Sequence, residues 1–431
     1  MKITIYRGAK EIGGTFIEIK TSSTRILLDA GYPLLLNGDV INQDLQTLSN
    51  EELLSLGVLP SISGLYYWDH KSFDAVIISH AHTDHFGLLK YINPEIPVYM
   101  SKGTEALIRL SQHFKIAEAF DLNINAFDFY KNFCVGDVKI KPYLMDHSAF
   151  DAAAFEIQAG GKTIIYSGDF RAHGRKSICF ERFIKNANKK ADILLVEGTV
   201  LGRTEQKYLS EDELENLIVQ KMRAVDGPLM FQSSGQNIDR LVTFYRASIK
   251  LNRIFVVDVY TANVLHELRQ LGNSLPHPSN DYPNIKVFYP YRLTKKIFNE
   301  IGENYARRFS AYRISRQQLS QIQNKVVMIC RPSMLADLKS SKLKNGVFFY
   351  SLWSGYRTSD YQQRFESELL NLNFSIDTMH TSGHASVANI KQLIDELRPK
   401  RVVPIHTMKP EEFLGFAENV FLSEDGVAFD V

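Results

Sequence analysis

Short apolar runs closed by polar turns dominate the first two hundred residues. Phe16-Ile17-Glu18-Ile19 and Ile26-Leu27-Leu28-Asp29 flank a Thr/Ser turn and predict a hairpin. Phe155-Glu156-Ile157-Gln158 and Thr163-Ile164-Ile165-Tyr166 flank Gly160-Gly161 and predict another. Ala75-Val76-Ile77-Ile78-Ser79 and Ile193-Leu194-Leu195-Val196 are apolar throughout, as buried strands are. Three- and four-residue apolar spacing predicts helices near Lys102 to Phe114 and Glu211 to Ala224. From about residue 205 to 370 the pattern becomes regular strand–helix alternation. Pro228 to Gln232 leads into the helix Ile238 to Ile249, and Ile254 to Asp258 into the helix Ala262 to Leu271. Val326 to Cys330 leads into Pro332-Ser333-Met334 and a further helix. Such alternation builds a parallel sheet. A last helix, Val387 to Leu397, precedes the strand Arg401 to Ile405, which ends at His406.

That final strand–histidine unit matches the first region better than the middle one, so the middle reads as an insertion. The expected division is 1–204 and 371–431 for one domain, with 205–370 inserted. At 45% hydrophobic and 23% charged residues the composition is that of a globular protein, which removes disordered and fibrous classes. The net charge of +2 selects no partner. No apolar run approaches the roughly 20 residues needed to cross a bilayer, and Met1 to Tyr6 reads as a strand, without the features of a signal peptide. Cys134, Cys179 and Cys330 lie far apart and read as small buried residues in a reducing, cytoplasmic setting.

Chemistry is concentrated in His80-Ala81-His82-Thr83-Asp84-His85, directly after an apolar strand. Four metal donors within six residues are hard to explain structurally, and imidazole with carboxylate suits zinc or manganese. Further donors follow other predicted strands: His147 after Pro142 to Asp146, Asp169 after Ile164 to Gly168, and His406 after the last strand. Together they make seven donors, enough for two metals sharing a carboxylate.

This pattern resembles the metallo-β-lactamase superfamily, whose fold is an αββα sandwich with metals at one edge. The resemblance implies that His80, His82 and His147 bind one metal and Asp84, His85 and His406 the other, with Asp169 bridging them. It implies that Asp29 supports the site from behind. The insertion between Glu197-Gly198-Thr199 and Ser382-Gly383-His384-Ala385 is similar to that of the β-CASP branch, which contains nucleases. The expected fold class is therefore α/β: a metallo-β-lactamase sandwich with an inserted parallel-sheet β-CASP domain. Glu197 matches the branch's acidic motif, His384 its middle histidine and His406 its last one, where DNA-processing members tend to carry valine. The resemblance implies a two-zinc ribonuclease, manganese being the other candidate ion, acting on single-stranded RNA. Its products would carry 5′-phosphate and 3′-hydroxyl ends. His384 is the expected proton donor to the leaving oxygen, Glu197 its support, and Asp84 the group that orients the attacking water. A DNA nuclease of the same architecture and a catalytically silent RNA-binding subunit remain alternatives. The second is disfavoured because silent members lose ligands. Typical ribonuclease J chains carry a C-terminal extension with no counterpart here, so the expectation of a tetramer is weakened. The chain is compatible with a homodimer.

Weaker signals surround this set. Ser233 and Ser234, in the turn before a helix, and Ser382 and Gly383, before His384, could present N–H groups to a phosphate or simply form capped turns. Arg171 follows Asp169 closely, where it suits either a contact to the substrate backbone or a solvated loop. Between Tyr289 and Tyr350, twelve Lys/Arg against three acids leave an excess of nine, which suits a polyanion track with Tyr291, Tyr305 and Tyr312 for stacking, the alternative being solvated helix faces.

Overall fold

Two sheets facing one another across an apolar layer carry the candidate chemistry. The computed structural model describes residues 1–36, 39–40, 45–203, 208–272 and 274–431. The chain divides into two compact units, Met1–Lys207 with Gly383–Val431, and Tyr208–Ser382.

In the first unit, a seven-stranded sheet runs in the order Ala428–Asp430, Lys2–Arg7, Phe16–Lys20, Arg25–Leu28, Ala75–Ile77, Val98–Ser101, Ile124–Phe127. A six-stranded sheet runs Val402–Ile405, Ile193–Glu197, Lys162–Tyr166, Ala153–Ala159, Val138–Leu144, Phe133–Val135. Side chains two apart on a strand share a face. Ile3 and Ile5, Ile17 and Ile19, Ile26 and Leu28 therefore meet Ile164 and Tyr166, Ile193 and Leu195, Val403 and Ile405 in one buried cluster. Helix Lys102–His113 packs against Val98–Ser101, and helices Ile178–Asn186 and Val387–Leu397 against each other. This is the expected αββα arrangement.

The predicted hairpins form, with Ile17 opposite Leu28 and Ile157 opposite Ile164. Arg25–Leu28 runs parallel to Ala75–Ile77, and Lys162–Tyr166, Ile193–Glu197 and Val402–Ile405 run parallel to one another. Within each group, the carboxyl ends therefore emerge at the same edge. Cys134 is exposed on the edge strand Phe133–Val135. This corrects the expectation that all three cysteines are buried.

The second unit holds an all-parallel sheet in the order Ile285–Phe288, Ile254–Asp258, Val326–Ile329, Leu229–Gln232, Val347–Tyr350, Ser375–Thr378. Its last strand lies beyond the expected boundary at residue 370. Ser375-Ile376-Asp377-Thr378 is too polar to read as a strand, yet it pairs in register with Val347–Tyr350 at the sheet's edge, where polar residues are tolerated. The expected boundary at 204/205 falls on residue 204 and lies outside the described residues. No helix among the described residues is long and apolar enough to cross a membrane.

Candidate metal centre

The expected ligands lie at, or in the turn just beyond, the ends of strands in the first unit. Asp29 follows Arg25–Leu28, and His80 lies three residues beyond Ala75–Ile77. His147 and Asp169 each lie three residues beyond theirs, Glu197 ends its strand, and His406 follows Val402–Ile405 directly. Asp29 and His406 both adopt left-handed backbone, with φ of 59° and 51°. Non-glycine residues adopt it sparingly, and such conformations collect at functional sites.

The short helix Thr83–Phe86 carries Asp84 and His85. The segment after Leu28 docks it: Ala30 N–H donates to the His85 carbonyl (2.8 Å) and Tyr32 N–H to that of Thr83 (2.9 Å). Gly31 lies between, where a Cβ would stand 1.7 Å from the Asp84 carbonyl oxygen. Gly31→Ala should therefore displace the turn. Misplacement by about 1 Å can cost roughly 10²-fold in rate, so metal-dependent turnover should fall by about that factor. Metal retained after dialysis should fall with it, and unchanged values for both would show that the turn is held elsewhere.

His80, His82 and His147 form one donor group. His82 Nδ1 lies 3.1 Å from His80 Nε2 and 3.2 Å from His147 Nε2. Tetrahedral ligands at about 2.0–2.1 Å from zinc stand roughly 3.3 Å apart, so both of these pairs are already near that spacing. Burial pushes all three rings down, His82 to about 4 and the other two well below the ordinary value, so they are neutral and able to ligate. Asp84, His85, Asp169 and His406 form a second group. His85 Nε2 lies 3.2 Å from Asp169 Oδ2, and His406 Nε2 3.4 Å from Asp84 Oδ2. Asp169 Oδ2 also lies 3.9 Å from His80 Nε2, which puts it between the groups.

His85 Nε2 and Asp169 Oδ2 are buried without a hydrogen-bond partner. Buried orphans of this kind are costly, and a cation would satisfy both at once. Burial also opposes charge on His85, yet Asp169, Asp29 and Asp84 raise it well above its ordinary value. A divalent ion would supply the positive charge that these acids otherwise draw from the imidazole. The residues present fit divalent metal binding.

Supporting contacts are equally specific. Asp29 Oδ2 accepts from His85 Nδ1 and from the Ser79 hydroxyl, both at 2.8 Å, and from the Tyr166 hydroxyl. Its Oδ1 accepts from Ser79 N–H at 2.7 Å. This aims His85 Nε2 at the centre, the usual carboxylate–histidine support of a metal ligand. Beside the second group, His384 Nδ1 meets Glu197 Oε2 at 3.1 Å, and Glu197 Oε1 accepts from Phe170 N–H at 2.8 Å. Burial disfavours charge on His384, but Glu197 and Asp169 raise it to about 9 in the metal-free chain. Its side chain is 23% exposed where Glu197 is 1% exposed, so it is the member of the pair open to solvent. Gly383 brings His384 in, because a Cβ there would stand 2.7 Å from Ser148 Oγ, next to His147. Ser79, Tyr166 and Thr199 were not singled out in the sequence. Hydroxyl residues are too common to stand out, and only the contact partners mark these three.

Arg171 requires a correction. It is fully buried, pairing through Nε with Asp146 Oδ1 at 3.3 Å, while its N–H donates to the Asp146 carbonyl. It anchors the chain before His147 and is not displayed to a substrate. Ser382 ends the second unit and Gly383 resumes the first. Ser233 and Ser234 lie in the second unit. Ser234 Oγ accepts from Gln236 N–H, and Asn237 caps helix Ile238–Lys250. This is the capped-turn reading of that segment.

The basic excess is partly neutralised within its unit: Arg308 pairs with Glu267, Arg316 with Asp337, Arg307 with Glu303 and Lys339 with Glu368. Helix Tyr291–Glu300 keeps Arg292, Lys295 and Lys296 exposed, alongside Tyr291 and Phe298.

Comparison with known proteins gives the same architecture. Residues 65–225 match a family described as a beta-lactamase superfamily domain, and residues 370–421 one described as a Zn-dependent metallo-hydrolase RNA specificity domain. Ribonuclease J of Helicobacter pylori is 24% identical over 456 residues, covering 100% of this chain and 60% of the relative. The chain thus spans about 60% of that relative's length. Integrator complex subunit 11 of Gallus gallus is 22% identical, over 96% of this chain and 70% of the relative. A crystal structure of a protein of unknown function from Enterococcus faecalis V583 superposes with a TM-score of 0.79 at 22% identity, over 99% of each chain.

Proposed function

We propose that this chain, which belongs to the metallo-β-lactamase superfamily and its β-CASP ribonuclease branch, cleaves single-stranded RNA with two zinc ions bound in the first unit. Manganese suits the same ligands. The observation that carries the reading is the Glu197–His384 pair standing beside an intact seven-donor set. His80, His82 and His147 would hold one ion, Asp84, His85 and His406 the other, and Asp169 would bridge. Such ions acidify water and draw charge from phosphoryl oxygens. Asp84, 14% exposed, orients the attacking water through its second oxygen. Water adds to phosphorus, the bond to the 3′ oxygen breaks, and His384 returns a proton to that oxygen. With Nδ1 turned to Glu197, the proton passes from Nε2. The products are a 5′-phosphate and a 3′-hydroxyl, in a cytoplasmic RNA-processing setting.

The test is cleavage of end-labelled single-stranded RNA, with matched DNA alongside, in zinc or manganese and with chelator. Chelator-sensitive cutting of RNA, with product ends that accept ligation as 5′-phosphates, is the expected result. Absence of cutting under every metal condition would remove the proposal, and preference for DNA would redirect it.

The exposed cations of helix Tyr291–Glu300 support a polyanion as substrate. Removing both ammonium groups in Lys295→Ala/Lys296→Ala should weaken RNA binding. It should also flatten the plot of log affinity against log salt by about 0.7 for each lost contact with a single strand. An unchanged slope would place the RNA on another surface.

A further inference from the structure

Thr199 stands at the junction of the two functional groups, and no role is yet assigned to it. It is 2% exposed, two residues beyond Glu197. Its hydroxyl lies 2.6 Å from Glu197 Oε2 and 2.8 Å from His406 Nδ1. Glu197 also meets His384, while the far side of the His406 ring, Nε2, faces Asp84.

A hydroxyl has one proton to donate and lone pairs to accept with. Of the acceptors in reach, Glu197 Oε2 at 2.6 Å is nearer than the His406 carbonyl oxygen at 3.3 Å, so the Thr199 proton goes to Glu197. His406 Nδ1 must then be the donor to Thr199 Oγ1. The ring is thereby fixed with its proton on Nδ1 and its lone pair on Nε2, on the side of Asp84 and the second donor group. The polar chain runs from His406 Nδ1–H through the Thr199 hydroxyl to Glu197, and from Glu197 to His384.

We propose that Thr199 is a positioning residue that lets one buried carboxylate orient two histidines, His384 directly and His406 through the threonine hydroxyl. The carboxylate–histidine support seen at Asp29 and His85 is here extended by one hydroxyl. This arrangement ties the geometry of a metal ligand to that of the proton donor. Its catalytic consequence rests on the ribonuclease reading, whereas its effect on the ring and on metal affinity does not.

Thr199→Val keeps the shape and removes the hydroxyl, while Thr199→Ser keeps the hydroxyl and removes the methyl. Outer-shell partners of metal ligands typically contribute 10- to 100-fold in affinity or activity. Zinc titration against a chromophoric chelator should show the weaker site of Thr199→Val loosened by about that factor. On a defined RNA, kcat should fall about 10- to 100-fold with KM nearly constant, and Thr199→Ser should restore both. Parental zinc affinity and kcat in Thr199→Val would overturn the proposal. So would a serine variant as impaired as the valine one, since the methyl group would then be the cause. The ring nitrogen chemical shifts of His406 in the zinc-loaded parent protein give a readout free of substitution. A proton on Nδ1 is expected, and a proton on Nε2 overturns the assignment. If the parent protein cuts no RNA, the ribonuclease reading fails by itself, while the titration and the ring shifts still decide the role of Thr199.

Discussion

Asp169→Asn is expected to strip the centre of metal and to lower RNA cleavage by about 10³- to 10⁴-fold. The asparagine is isosteric, so the loss comes from charge. Asp169 is 2% exposed, and its carboxylate lies between the two donor groups, within 3.9 Å of His80, His85 and His406. Burial opposes its ionisation, yet His406, His85 and His384 hold it well below the usual carboxylate range, so it is an anion. Metal catalysis supplies several kcal/mol of transition-state stabilisation. About 5 kcal/mol corresponds to roughly 10³- to 10⁴-fold in rate at 1.36 kcal/mol per tenfold. Metal content after dialysis and initial rates on labelled RNA are the measurements. Retention of two ions per chain with more than about a tenth of the parental rate would exclude a bridging role. Unfolding is not the expected route to the loss. In the metal-free chain His406, His85 and His384 stabilise this carboxylate, so metal-free Asp169→Asn should melt below the metal-free parent, and circular dichroism at the assay temperature separates a folded, metal-poor variant from an unfolded one.

The parts of this site that could be read from the sequence share one property: several unusual donors lie close together or directly after an apolar strand. His80 to His85 declares itself because histidines and an aspartate share a turn that no packing requirement explains. His147, Asp169 and His406 were legible through the strand ends before them, since the carboxyl edge of a sheet is where side chains leave the core. Thr199, Ser79 and Tyr166 were not legible. Their hydroxyls act through partners as distant in sequence as Asp29 and Tyr166, and nothing local separates them from ordinary threonine, serine and tyrosine. Arg171 misled for the converse reason. A basic residue after a metal-edge aspartate suits a substrate contact, but the backbone bond from Arg171 to Asp146 folds the side chain inward, where Asp146 neutralises it. The parallel sheet of the second unit followed from its strand–helix alternation, whereas its edge strand Ser375–Thr378 lacked the apolar residues that reveal strands covered on both faces.

His384→Ala should separate proton donation from metal binding. His384 belongs to neither of the two expected ligand sets, although with Asp169, Glu197 and His406 it could complete a further metal-holding group. Its contact with Glu197 at 3.1 Å defines it instead as an oriented imidazole. If it donates the proton, removal should leave two ions in place and lower kcat by about 10²- to 10⁴-fold, the range for general acid catalysis. The size of the loss should depend on the leaving group. RNA expels an alkoxide that needs a proton, whereas bis-p-nitrophenyl phosphate expels a phenolate that does not. The variant should therefore lose much less activity on the activated diester than on RNA. Equal losses on both substrates, together with a loss of bound metal, would instead assign His384 to the ligand set. In that case Glu197 and Thr199 would be supports of a metal site alone.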